Sequence, residues 1–422
     1  MIVHLAYGKH GLDIDVPQQR TTVLEPLFAP AVADPQGALR QALANPVGSR
    51  PLRDLVTAQD TVAIVISDLT RPMPTADVVR AIVADLPQVP AQNITIFIGL
   101  GTHRKMTEAE VQGVLGDLAG RYTVSQTDCS DSAAFTTVGR SEDGNTIRFV
   151  SDYLKCSVRI VTGLMEPHLF AGISGGPKGI LPGLAGMETI IANHSPAHLL
   201  SPNATYGVTR GNPLWEEIHE AVLMAKPTFM VNVTVNKNKE ITAVFAGDLD
   251  AAYERGAQYV RQTAMVPVAQ QYDVLVTTNS GYPLDLNYYQ AVKGLTAAAP
   301  LVKPGGAIIV AAECWDGIPY GSRMESILRS VKTPQQIIDG VMNGAFAGMD
   351  QWQVLLYAQV LQKATVYLKN ERLSPDDVRA CLAVPCDDVS VTLRALLDKY
   401  GPASTACILP EGPQTVPYFA KQ

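Results

Sequence analysis

Continuous runs of β-branched and aliphatic residues set the tightest limit on what this chain can fold into. Residues 61–67 read TVAIVIS and residues 93–100 read NITIFIGL. Neither run alternates, so both faces of each strand are apolar, as in a parallel strand covered by helices on both sides. A polar turn and then a helical stretch follow each one. Thr75 to Leu86 is the first helix, and Thr107 with Glu110 forms a capping box that opens the second. A third unit passes through YTVSQTD (122–128), a strand at Val158 to Thr162 follows, and FMVNVTVN (229–236) with ITAVFAG (241–247) reads as a hairpin. The pattern restarts at YDVLVTTN (272–279), VKPGGAIIVAA (302–312) and a final ACILPEG (406–412). Residues 1–20 read as a β-hairpin turning between Gly8 and Gly11.

Strand–helix alternation of this kind implies an α/β fold: two α/β domains with mostly parallel sheets and an active-site cleft between them. The expected division is 1–268 as a cofactor-binding and catalytic domain, with the tail at about 406–422 packing back on it, and 269–405 as a second domain closing over the substrate. A length of 422 residues suits two domains, and 47% hydrophobic against 17% charged residues gives each an ample core. The net charge of −7 and the lack of Lys/Arg runs exclude general nucleic-acid binding. No apolar run is long enough to span a membrane, and the N-terminus lacks a signal-peptide pattern. The six cysteines are scattered without a C-x-x-C, the expectation for free, reduced thiols in a cytoplasmic protein without a zinc or iron–sulfur cassette.

In an open parallel sheet, ligands sit beyond the carboxyl ends of the strands. Asp68, Arg71, His103 and His168 all fall just past a predicted strand end. The richest stretch runs from Gly163 to His198, where three of the seven histidines and a single lysine, Lys178, lie among glycines. Glycines at that density let backbone N–H groups approach an anion. The stretch is no P-loop, because Pro177 stands where the second glycine should be and Gly179 replaces the Ser/Thr after the lysine. Lys178 is therefore open to amine chemistry with a bound cofactor. His194 and His198 have i,i+4 spacing, yet Ser195-Pro196 reads as an N-cap and first helical position between them. That separates the pair, and His198 reads as structural.

The set S67-D-L-T-R-P-M-P74, G99-L-G-T-H-R104, E166-P-H-L-F-A-G-I-S-G-G-P-K-G-I-L-P-G183, N193-H194 and L286-N-Y-Y-Q-A-V-K-G294 resembles the nickel-dependent lactate racemase family. The motifs occur in order along most of the chain. The resemblance implies nickel held in a pyridinium-3,5-bisthiocarboxylic acid mononucleotide (the nickel-pincer nucleotide) that is linked through a thioamide to Lys178, with His194 completing the metal coordination. It further implies His103 and His168 as the two acid–base groups, and Arg71, Tyr289, Gln290 and Lys293 as substrate-binding residues. Asp68 would orient its neighbours and Trp352 would line the pocket. Thr70, Gly172, Ser174, Gly175 and Gly176 would help to seat the nucleotide. Enzymes that make the cofactor would be its partners, and the substrate a small 2-hydroxy acid: lactate, or a larger one. Ser125-Gln126-Thr127-Asp128 departs from the Asn-His-Asp pattern of many relatives and bears on the pocket wall.

The implied chemistry accounts for these residue types. The α-hydrogen of a 2-hydroxy carboxylate is poorly acidic, so it leaves as a hydride while a base takes the hydroxyl proton, giving a planar 2-oxo acid. Return of the hydride to either face racemises the carbon. Such a scheme needs a hydride acceptor that no side chain supplies, two bases near neutrality, and a bidentate cation for the carboxylate. Each residue also has a plainer role open to it. Arg71 with Asp68 could close a turn, His103 could cap a helix, His168 could be a core histidine, and Lys293 could be a solvated charge. A nicotinamide-dependent 2-hydroxy-acid dehydrogenase would reuse the same residues, but no strand leads into G-x-G-x-x-G. A non-catalytic nickel-nucleotide binding protein would need Lys178 and His194 without the two bases.

Overall fold

The apolar runs become the central strands of two six-stranded sheets. In the computed structural model, which describes residues 1–348 and 350–419, the chain forms two units: Phe28–Thr263, and Met1–Leu27 together with the segment from Ala264 onward. The expected division at residue 268 therefore misses the N-terminal segment. Thr21–Val23 pairs in parallel with Ala406–Leu409, and a three-residue strand is too short to show periodicity. The described part of the tail follows the same unit, since Val416–Phe419 pairs with Met265–Val268.

In the 28–263 unit the strands lie in the order Ile241–Gly247, Phe229–Val235, Val158–Leu164, Val62–Ser67, Ile94–Gly99, Thr123–Gln126. Every neighbouring pair is parallel except the first, the expected hairpin. Val62, Ala63, Ile64 and Val65 are all fully buried, as a strand covered on both faces must be. Ile64, Ile66, Ile96, Ile98 and Ile160 share a core with Leu39 and Leu43 of helix Pro35–Ala44 and with Val78, Val79 and Ile82 of helix Thr75–Ala84. The expected capping box is present: Thr107 accepts from Glu110 N–H and Glu110 accepts from Thr107 N–H.

The strand order reverses between Val62–Ser67 and Val158–Leu164. From the first the chain moves outward to Ile94–Gly99, and from the second it moves the other way to Phe229–Val235. Oppositely directed connections leave a crevice at the carboxyl ends of these two neighbours. Asp68 and Arg71 follow one, and Glu166 and His168 follow the other.

The second unit holds an all-parallel sheet in the order Val384–Pro385, Ala364–Lys369, Val302–Ala311, Tyr272–Thr278, Ala406–Leu409, Thr21–Val23. Its central strand feeds helix Tyr288–Ala298, whose Asn287 cap accepts from Gln290 N–H at 3.0 Å. Among the described residues no helix is long and apolar enough to cross a membrane.

Candidate active site

Two carboxyl-end loops of the 28–263 unit build the first part of the site. Asp68 is buried, and its Oδ2 accepts from Nδ1 of His103 at 2.6 Å. Its other oxygen accepts from the Thr70 hydroxyl at 2.6 Å and from the Thr70 N–H at 3.2 Å. Burial alone would push this carboxyl up. The hydrogen bonds from His103 and Thr70 outweigh burial and hold it below the ordinary carboxylate range. An ionised Asp68 fixes the proton of His103 on Nδ1, so Nε2 of a half-exposed ring carries the lone pair. Replacing Asp68 by Asn preserves the shape but can turn the ring to the other tautomer. Turnover is expected to fall about a hundredfold or more with substrate KM little changed, read from steady-state kinetics. Equal kcat in the two proteins would remove Asp68 from this role.

His168 has the opposite arrangement. It sits on a two-residue strand, Pro167–His168, folded back on Gly172–Ile173. Its Nδ1 accepts from Ala171 N–H at 3.2 Å and from Phe170 N–H at 3.5 Å, which places the proton on Nε2. One imidazole thus presents a basic Nε2 and the other a protonated one.

Phe170 joins the remaining groups. Its ring lies edge-on to His168 at 4.7 Å and to His194 at 5.2 Å, and the Lys178 ammonium lies 5.7 Å from its centroid. Burial, with the nearby charge of Arg71, brings Lys178 down from 10.5 to about 7. Burial and the charge of Lys178 bring buried His194 down to about 3, so it is neutral at any ordinary pH. Nδ1 of His194 meets the Ile190 carbonyl at 3.0 Å, which fixes the proton there and the lone pair on Nε2, the form a metal needs. Arg71 Nε lies 4.0 Å from the Glu166 carboxylate on the neighbouring loop. Gly101 N–H donates to Gly183 O at 3.0 Å, docking the His103 loop on the glycine stretch.

The glycine stretch differs from the expected open, anion-cradling loop. Gly172 (φ +77°) packs so closely that a Cβ would meet the Val208 carbonyl at 2.1 Å, and one on Gly176 (φ +49°) would meet the Tyr253 ring at 2.4 Å. The Ser174 hydroxyl is buried and committed to the backbone, donating to Leu164 O at 2.7 Å and accepting from Glu166 N–H at 3.0 Å. These residues shape the turn that carries Lys178. Tyr253 donates from its hydroxyl to Ile173 O at 2.7 Å and accepts from Trp215 Nε1 at 3.0 Å, an aromatic floor beneath that turn.

In the second unit, Tyr289, Gln290 and Lys293 line the half-buried face of helix Tyr288–Ala298, while Tyr288, Ala291, Val292 and Leu295 face the core. Trp352 Nε1 donates to the Tyr289 hydroxyl at 3.3 Å, and Gln353 donates to the Tyr289 carbonyl at 2.6 Å. Burial pushes the Tyr289 phenol up to about 12, against a smaller lowering from Trp352, so it remains a donor.

Full-length comparison adds the lineage. The "Lactate racemase N-terminal domain" family matches residues 7–207 and the "Lactate racemase C-terminal domain" family matches 267–416. The chain belongs to the lactate racemase family. It is accordingly an enzyme of the isomerase class. It is similar to the lactate racemase of Thermoanaerobacterium thermosaccharolyticum, 30% identical over 417 residues covering 97% of each chain. It is also similar to the lactate racemase of Lactiplantibacillus plantarum, 31% identical over 381 residues covering 89% of each. The solved apoprotein of the Thermoanaerobacterium enzyme superposes with a TM-score of 0.92 at 29% identity, over 99% of this chain and 100% of that one. A Thermotoga maritima protein at 18% identity, with a TM-score of 0.69 over 91% of this chain and 98% of its own, shares the fold.

Within this lactate racemase family chain, several neighbours were not legible from sequence. Phe170 and Glu166 lay inside the motif without a chemical signature of their own. Gln126, part of the departing SQTD segment, holds the loop beyond His103: it accepts from Met106 N–H at 2.8 Å and donates to Met106 O at 3.1 Å. His198, Asp143 and Glu217 have potential ligand atoms within 4.8 Å of one another. They form a hydrogen-bonded chain rather than a shared centre. His198 Nε2 meets Asp143 at 3.0 Å, while Nδ1 meets Asn193 O at 2.8 Å with Glu217 3.7 Å away on that same edge. Glu217 also accepts from Ser141, Asn145 and Asn193. The network supports the structural reading of His198, just beyond the turn of His194.

Proposed function

We propose that this chain is a racemase or epimerase of a 2-hydroxy acid, with lactate as the first candidate, working through a 2-oxo acid with a nickel-pincer nucleotide on Lys178. The observation that carries the reading is a pair of histidines just past two strand ends, His103 oriented by Asp68 and His168 by the Phe170 and Ala171 N–H groups. A racemase needs two acid–base groups, one for each face of the reacting carbon.

The residues fit the cofactor by their chemistry. Lys178 is held near the point of losing its charge, which leaves an amine able to bond covalently, and His194 offers a neutral imidazole nitrogen, a donor suited to nickel beside sulfur. When bound, the nucleotide supplies the acceptor that takes and returns the α-hydrogen as hydride. The protein does the rest. Arg71, on the loop beside Glu166, grips the carboxylate. For one enantiomer His103 Nε2 takes the hydroxyl proton; His168 is the proposed base for the other, which requires its ring proton to leave Nε2 for solvent first, and each returns a proton to the product oxygen. Tyr289, Gln290 and Lys293 are proposed as substrate-binding residues, and Trp352 braces Tyr289.

The test is native mass spectrometry with nickel analysis on chain produced alongside the cofactor-making enzymes, followed by a polarimetric assay over a panel of 2-hydroxy acids. An adduct of several hundred daltons, about one nickel per chain and interconversion of lactate enantiomers are expected. Full loading with no racemisation of any member of the panel would favour a binding protein.

A further inference from the structure

Asn232 breaks the apolar run of strand Phe229–Val235, between Val231 and Val233, and all three are fully buried. Neither its Oδ1 nor its Nδ2 has a hydrogen-bond partner among the described residues. Other buried asparagines in the same unit have their amide nitrogens used: Asn193 donates to Leu214 O and Glu217, though its Oδ1 is unmade, and Asn212 donates to Phe170 O and Val208 O. Leaving a buried donor and acceptor unmade costs stability, and a strand flanked by valines would be more stable with an aliphatic residue there.

The amide lies in one particular place. Asn232 is in register with Gly163 on the neighbouring strand, and the absence of side chains at Gly163 and Gly175 makes its slot. A Cβ on Gly163 would stand 3.2 Å from Asn232 Oδ1, 3.0 Å from Gly175 Cα and 3.6 Å from Gly176 N. A Cβ on Gly175 would stand 2.7 Å from Asn232 Nδ2. Gly175 opens the turn that bears the lysine, and Lys178 N–H donates back to Gly175 O at 3.1 Å. A donor and an acceptor thus lie unmade directly under the backbone that sets where Lys178 points.

We propose that Asn232 is a positioning residue for Lys178, its amide bonding the Gly175–Gly176 backbone as the lysine is acylated, so that the bond is already forming in the transition state of that step. The inference rests on Lys178 as the cofactor anchor. Polar atoms that cost stability in the unsubstituted chain are then compensated in the loaded one, an exchange of stability for function.

The test compares the parent with Asn232→Leu, which keeps the shape and removes the polarity, and Asn232→Ala, which carries the same reading should leucine not fit. Each cofactor-free chain is treated with acetic anhydride, and acylation of every lysine is followed by peptide mass spectrometry, with exposed lysines as internal controls. Expected is an acylation rate at Lys178 at least fivefold below the parent, unchanged controls, and for leucine a thermal midpoint equal to or above the parent. Unchanged acylation at Lys178, or a midpoint several degrees lower with all lysines altered alike, overturns the proposal and leaves Asn232 a scaffold residue. A parent chain that accepts no nucleotide adduct would instead sink the anchoring role of Lys178, and the acylation comparison would still judge Asn232 separately.

Discussion

Alanine at His103 or at His168 is expected to lower racemisation about a thousandfold, a loss of about 4 kcal/mol in transition-state stabilisation. Because two enantiomers have equal free energy, the fall in kcat/KM must be the same in both directions. Steady-state rates therefore cannot say which base serves which enantiomer. A single turnover can. Each variant retains one base, so each should still form 2-oxo acid from one enantiomer, and the two variants should prefer opposite ones. Chemical quench with chiral substrates reads this directly. Formation of 2-oxo acid from both enantiomers at the parental rate in either variant would refute the two-base assignment.

Methionine at Lys178 is expected to abolish both the nucleotide adduct and racemisation, and to change stability in a pH-dependent way. In the folded chain Lys178 titrates at about 7, against 10.5 for an ordinary lysine. Between those values the unfolded chain binds the proton and the folded chain does not, so stability rises with pH across that window. Below about 7 the folded chain bears the full penalty of a buried charge; above 10.5 it bears none. Methionine has no such penalty. The variant should be more stable than the parent by on the order of 2 kcal/mol at pH 6, with the difference closing by pH 10, as measured by urea unfolding. That figure lies below the full shift because the lysine retains some access to solvent. A stability difference independent of pH would place the ammonium in water.

The sequence made the strands legible and hid the edges. TVAIVIS and NITIFIGL could be read because a doubly covered strand is apolar throughout, and the Thr107–Glu110 box because capping is local. Thr21–Val23 could not be read, since its only signal is a partner nearly four hundred residues away. Asp68, Arg71, His103 and His168 were singled out because strand ends are predictable places for ligands. The pairing of Asp68 with His103 and the protonation states of the two rings depend on where loops fold in space, and no spacing encodes that. The glycines were read as room for a ligand, whereas Gly172 and Gly176 admit the protein's own backbone and an aromatic ring. A signal for Asn232 did exist: it is a polar residue inside a continuous apolar run.

The discontinuity of the unit that contains both ends of the chain has a consequence for biosynthesis. Its sheet places Thr21–Val23 beside Ala406–Leu409, so an early strand has to wait for one made nearly four hundred residues later. At roughly 5–20 residues per second, that wait is on the order of twenty seconds to over a minute. Phe28–Thr263 leaves the ribosome as an unbroken block with a complete sheet of its own, free to fold while Thr21–Val23 is still unpaired. The half that carries Lys178 and His194 can thus be finished before the half that carries Tyr289 and Lys293 has closed its last strand.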